Sequence, residues 1–195
     1  MNRTWNFEKG AWRAEDFLSA ASSRVEYRLT FGQKDDCIHN EGADKMDEYA
    51  YVSMVHRTPV SLPCLLETEC SFRTYGAPLL ILADSMDTLP DSRLQYGRHI
   101  EVVGWEKGIN VWDLTPDPEA PNGQRTVNLG RFSFPIEDGA RFLLTARADR
   151  QGLVVGAEVN GRSAQFDCPC VLPEKCYVGI TACEGENYFY RFSIR

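Results

Sequence analysis

Several things this chain lacks exclude whole classes of protein. Basic residues are outnumbered, with 21 Lys and Arg against 28 Asp and Glu, a formal charge of −7. Nucleic-acid phosphates and anionic membrane surfaces would be repelled, so neither is an expected partner. No apolar run approaches the roughly 20 residues that cross a bilayer as a helix. The opening Met1-Asn2-Arg3-Thr4-Trp5-Asn6-Phe7-Glu8 has no apolar signal-peptide core, so a cytoplasmic location is expected if Met1 is the native start. A Gly-x-Ser-x-Gly elbow and a glycine-rich phosphate loop are both missing. Their absence leaves covalent acyl chemistry and phosphate cradling unsupported, and no cofactor is expected. Without internal repeat, low-complexity tract or linker, residues 1–195 read as a single domain.

The seven cysteines, at 37, 64, 70, 168, 170, 176 and 183, are odd in number and irregular in spacing. That is unlike a secreted disulfide framework and agrees with a reducing compartment. Cys64 and Cys70 share a face with Leu62, Leu66 and Phe72, where free cysteine acts as a small core hydrophobe. Cys168, Cys170 and Cys176 form a tighter group. However, zinc sites usually separate their thiolates by two to four residues and Cys168-Pro169-Cys170 separates them by one, so no metal site is assigned.

Helical periodicity is almost absent, and period-two segments recur. Arg24 to Phe31 places Val25, Tyr27, Leu29 and Phe31 on one side. Ser61 to Arg73 places Leu62, Cys64, Leu66, Cys70 and Phe72 inward, with Leu65, Glu67, Glu69 and Arg73 opposite. Ala77 to Ala83 is apolar throughout, as a strand buried on both sides would be. Further strands are expected at Arg141 to Ala148, at Leu153 to Val159 ending in the turn Asn160-Gly161, and at Ala164 to Cys168. Tyr177 to Cys183 and Tyr188 to Ile194 close the series, the last with Tyr188, Tyr190, Phe192 and Ile194 on one side. A hydrophobic content of 43% fills a core without staples. Many short strands with turns between them indicate an all-β sandwich or barrel.

Three segments read as irregular: Gly32 to Pro59, Asp84 to Arg98 and Asp113 to Arg125. The first is rich in acids (Asp35, Asp36, Glu41, Asp44, Asp47, Glu48) but lacks the alternating Asp-x-Asp-x-Asp-Gly pattern of a calcium loop, so they read as solvated charge.

His99 to Leu114 reads as one long hairpin. A three-residue turn, Glu106-Lys107-Gly108, sets Trp105 opposite Ile109, Val103 opposite Val111 and Glu101 opposite Asp113. Ile100, Val102, Trp112 and Leu114 then face the core. His99, Glu101, Val103, Trp105 and Asp113 form the other face, either a solvated exterior or a concave polar groove with an indole platform of the kind that binds sugars. Facing carboxylates lie about 4.5–5.5 Å apart at Cβ and repel. Glu101 and Asp113 are thus either an acid/base pair for glycosidic cleavage or two acids neutralised by an arginine such as Arg98, Arg141 or Arg147. Trp12 belongs at the groove rim or, as the commoner outcome, under a terminal strand.

An ordered series runs through the last third: Phe142 to Ala148, then Gly152 to Gly161 ending Glu158-Val159-Asn160-Gly161, then Tyr177-Val178-Gly179-Ile180, then Tyr188-Phe189-Tyr190-Arg191-Phe192. It resembles the closing strands of the concanavalin A-like lectin/glucanase superfamily, most clearly over residues 130 to 195. The resemblance implies a two-sheet antiparallel jelly-roll sandwich whose last strand pairs with the first, here Trp5-Asn6-Phe7, and whose concave sheet forms a groove. Laminarinase-type members carry Glu-x-Asp-x-x-Glu on one strand. This chain has Glu101-Val102-Val103-Gly104-Trp105-Glu106, with Val103 at the helper aspartate, so those catalytic roles are not carried over.

Three functional readings follow. The first is a lectin-like domain binding an oligosaccharide or polysaccharide fragment through His99, Trp105, Glu67 and Glu69. The second is a small intracellular glycoside hydrolase, lyase or isomerase-like enzyme using Glu101 and Asp113. The third is a non-catalytic interaction sandwich.

Overall fold

The computed structural model describes residues 2–22, 30–40 and 51–195. Its strands begin with β1 (Arg3–Asn6), β2 (Phe17–Ser19), β3 (Phe31–Gln33), β4 (Ile38–Asn40), β5 (Val52–His56) and β6 (Val60–Ser61). They continue with β7 (Cys64–Arg73), β8 (Ala77–Ala83), β9 (Met86–Thr88), β10 (Leu94–Tyr96), β11 (His99–Trp105) and β12 (Gly108–Pro116). The remainder are β13 (Gln124–Ser133), β14 (Phe142–Asp149), β15 (Gly152–Val159), β16 (Arg162–Pro169), β17 (Lys175–Cys183) and β18 (Glu186–Ile194). Among the described residues the helical content is one 3-10 turn, Ala14–Asp16.

Two antiparallel sheets pack face to face. The first runs β16-β15-β14-β7-β18-β4-β3, with β1 also on β18; the second runs β13-β12-β11-β8-β17-β5-β2, with β6 on β17. Arg3 pairs with Ile194 and Asn6 with Arg191, so the first and last strands are neighbours as the resemblance implies. The main core lies between the sheets, where Leu66, Leu144 and Phe192 of the first meet Leu80, Val102 and Val111 of the second. Alternation brings them there, because one face of each strand is removed from water.

β8 is buried along its whole length. Leu80 and Leu82 join the main core, while Leu79 and Ile81 join a smaller cluster on the outer face of the second sheet. The segment read as an irregular loop between 84 and 98 supplies that cover. It folds into the hairpin β9–β10, whose Met86, Leu94 and Tyr96 pack over the outer face. Half of that face is thereby closed, and the half beside β11 and β12 is left open.

Three expectations are corrected, and a further one falls outside the described residues. β13 was not foreseen, because an edge strand exposed along most of its length shows no alternation. The connection before it shrinks to residues 117–123, since β12 extends through Pro116. In β18 the register shifts between Phe189 and Arg191, so Phe189, Phe192 and Ile194 are buried while Tyr188 and Tyr190 are not. A bulge of this kind moves a side chain to the other face with no local sequence signature. The strand expected at Arg24 to Phe31 and the acids Glu41, Asp44, Asp47 and Glu48 lie largely or wholly outside the described residues.

Candidate functional site

β11 and β12 form the expected hairpin with a shorter turn. Glu106 and Lys107 make the connection, Trp105 pairs with Gly108, Glu101 with Trp112, and Ile100 with Asp113. The expected register is off by one residue, which turns over every side chain of β12. Ile109 and Val111 face the core, and Asn110, Trp112 and Leu114 face outward beside Glu101. The facing pair Glu101 and Asp113 is therefore overturned, as is the placing of Trp112 and Leu114 in the main core. β12 is apolar on both faces, so alternation could not choose between them. Packing did. Gly104 leaves no room for a side chain, since a Cβ there would lie 2.8 Å from the Phe142 ring, and Ile109 opposite it fills the core instead. The chain after β13 also clamps the turn, with Phe134 N–H donating to the Lys107 carbonyl and Ile136 N–H to the Glu106 carbonyl, each at 3.1 Å.

On the open half of the outer face is a cavity of about 420 Å³. Trp105 and Trp112 line it with Val103 and Asn110 between them. Trp105 is four residues from Glu101, which sits opposite Trp112, so the two indoles start about 14 Å apart along the strand. Glu101 forms part of the floor and is 2% exposed. Its Oε1 accepts a hydrogen bond from Tyr51 Oη at 3.1 Å and lies 3.7 Å from His99 Nε2. His99 Nδ1 is 2.9 Å from the Gly97 carbonyl, which can only accept, so Nδ1 donates to it and Nε2 is turned toward Glu101.

Two polar atoms of the lining residues, Trp105 Nε1 and Asn110 Oδ1, are buried with no hydrogen-bond partner among the described residues. A buried donor and a buried acceptor without a partner, on residues that line one cavity, are groups a hydroxyl-rich ligand can satisfy. Lys107 and Arg131 stand over the Trp105 ring at 5.4 and 5.2 Å, holding that indole by cation–π attraction. Trp112 makes no such ring or cation contact among the described residues. Glu101, Glu106 and Glu184 line the cavity, and no Lys or Arg is among its lining residues.

His99, Glu101 and Trp105 thus share the outer face, with His99 beneath it at 1% exposure. The other candidates lie elsewhere. Asp113 sits on the opposite face, gripped by Arg98: Nη2 is 2.7 Å from Oδ2 and Nε is 3.0 Å from Oδ1. Glu67 and Glu69 are on β7 in the other sheet, where Glu67 is 2.7 Å from Arg195 and Glu69 3.8 Å from Arg141. Alternation sets the two faces of β7, but nothing local says which sheet a strand joins. Trp12 packs under the terminal strand, its ring 5.2 Å from Phe7. Burial pushes the Cys176 thiol up to about 12 and Cys170 up to about 11. Among the described residues, no cluster of three or more His, Cys, Asp or Glu is placed to hold a metal ion. Trp112, Asn110, Tyr51, Tyr75 and Glu184 were missed. Only the first two had a signal, and it was hidden by the register.

No family model and no curated protein matches the chain. Solved structures do. The carbohydrate binding module CBM66 from Bacillus subtilis superimposes with a TM-score of 0.58 at 11% identity, over 89% of this chain and 91% of that one. The VIP36 exoplasmic/lumenal domain in its Ca2+/Man3GlcNAc-bound form gives 0.57 at 12% identity, over 98% and 87%. A lectin, UEA-II complexed with galactose, gives 0.53 at 8% identity, over 100% and 97%. The fold is the concanavalin A-like jelly roll.

Proposed function

We propose that this protein binds carbohydrate in the outer-face cavity. One observation carries the reading: the residues lining a single cavity supply two indoles, a buried carboxylate, and a buried donor and acceptor with no partner among the described residues. Trp112 offers an apolar ring to sugar C–H groups, Trp105 Nε1 donates, and Asn110 Oδ1 and Glu101 accept. The three lining glutamates outnumber the Lys107 and Arg131 cations held over Trp105, which favours neutral or amino sugars over uronates, whose carboxylates would be repelled. Neighbours in fold whose names specify carbohydrate binding or bound galactose support a ligand of this class. The test is calorimetric titration with neutral, amino and uronic oligosaccharides. Trp112→Ala should weaken the best binder by roughly tenfold, on the order of one aromatic contact. No binding across the whole panel would end the proposal.

A second reading has its own observation. Glu106, carried by the turn, lines the same cavity as Glu101, although plain alternation would point the two apart. A buried carboxylate with a second carboxylate in one cleft is the equipment of glycosidic cleavage. Glu101→Gln separates the readings. A binding protein loses one hydrogen bond and keeps much of its affinity, whereas a hydrolase keeps binding and loses turnover.

A further inference from the structure

The chain crosses between the two sheets at two neighbouring turns, residues 73–76 between β7 and β8 and residues 183–186 between β17 and β18. In the first, Gly76 N–H donates to the Arg73 carbonyl at 3.0 Å. Both central residues are left-handed, Thr74 at φ 54 and Tyr75 at φ 63. This backbone suits Asn-Gly, and a β-branched threonine followed by a tyrosine is a strained occupant. Neighbours hold the turn tight. A Cβ on Gly76 would lie 2.3 Å from the Glu186 carbonyl oxygen, and one on Gly185 would lie 2.1 Å from that of Thr74. Thr74 N–H also donates to the Asp138 carboxylate at 3.1 Å.

Core packing does not account for this strain, because Tyr75 is 64% exposed. Its ring stands instead between two cavities. It lines the one that holds Trp105 and Trp112, and also a second of about 590 Å³ bounded by Phe72, Ile136 and Asp138 at the hairpin tip. Glu106 is shared by both. Trp112, Trp105 and Tyr75 therefore follow one another along the strand direction and over the end of the sandwich. The first two already start about 14 Å apart, a length that no single pyranose ring covers.

We infer that Tyr75 is a ligand-contacting aromatic which joins the two cavities into one extended site, so that the ligand is a chain of several sugar units and not a single terminal sugar. This rests on the carbohydrate reading of the first cavity and deepens it. The left-handed Thr74-Tyr75 turn is what aims the ring outward at that junction.

The experiment is calorimetric titration with cello-, manno- and chito-oligosaccharides of increasing length, on the wild type and on Tyr75→Gly. Wild-type affinity for the best series should rise by about tenfold or more from disaccharide to pentasaccharide, as added units reach another aromatic surface. Tyr75→Gly should lose roughly three- to tenfold more affinity on the pentasaccharide than on the disaccharide. The same variant should melt at a higher temperature, since glycine takes the left-handed region freely, which separates a lost contact from a lost fold. If oligosaccharides bind but affinity does not grow with length, or Tyr75→Gly binds long chains as tightly as wild type, the extended site is wrong and the first cavity stands. If no saccharide of any length binds, both fall.

Discussion

Asp113 shows how far a residue's role depends on its register. With one turn residue more it would face Glu101 across the hairpin; as folded it accepts three hydrogen bonds from the Arg98 guanidinium, with 18% of its side chain exposed. Arg98 is raised further above its ordinary range, first by the hydrogen bond to Asp113. A carboxylate bound this way contributes to stability and touches no ligand. Asp113→Asn should therefore destabilise the protein by about 1–3 kcal/mol, the worth of hydrogen bonds to a charged group. Urea unfolding measures that, and saccharide affinity should stay within about twofold of wild type. Glu101 should behave in the reverse manner. Its burial beneath Tyr51 and beside His99 places it on the cavity floor, so its substitution should be felt in binding or turnover.

At the scale of elements, the hairpin of β11 and β12 is held by its glycines as much as by its apolar residues. Gly104 faces the core with the Phe142 ring where a Cβ would go, and that ring comes from β14 in the opposite sheet. Gly104→Ala should force the ring aside and cost about 1–3 kcal/mol, the usual penalty of overpacking. The loss should appear as a lower denaturation midpoint with an unchanged m-value, because the unfolded chain is unaffected. The Asn160-Gly161 turn is the opposite case, where local chemistry is sufficient. Both residues take positive φ, 51 and 73, and Val159 pairs with Arg162 across them as that dipeptide predicts.

For the whole molecule, the thiols report the fold's response to alkali. Burial is the first cause raising Cys37, Cys64 and Cys170 to about 11 and Cys176 to about 12. An unfolded thiol ionises near 8.5, so at higher pH the unfolded chain holds fewer protons than the folded one. The stability from protonated buried thiols is then complete below about pH 8.5 and lost as pH climbs toward 11 and 12. Thermal melts should show a falling midpoint across that window, and Cys176→Ala should flatten part of the fall. At pH 7.5 a thiol reagent should react promptly only with Cys170, the one half-buried cysteine, and should count seven in denatured, unreduced protein.

What the sequence determined by itself is what short-range physics controls. Period-two alternation marked β7, β14 and β15, an unbroken apolar run marked β8, the Asn160-Gly161 turn followed from its backbone preference, and the ordered closing strands pointed to the jelly roll. That His99, Glu101 and Trp105 share one face of β11 was legible because alternation within one strand holds whatever its partner does. The partner strand was not. β12 carries Ile109 and Val111 on one face and Trp112 and Leu114 on the other, so only Ile109 filling the space opposite Gly104 and the clamp of residues 134–136 on the turn could select the register. The same limit separated Glu67 and Glu69 from the cavity, since sheet membership is a long-range pairing. It also concealed Tyr75 and Glu184, which reach the rim only because two crossovers, over a hundred residues apart in sequence, pack side by side. Burial on a strand is a local property, whereas which strands and turns share a cavity is decided by the packing of the whole chain.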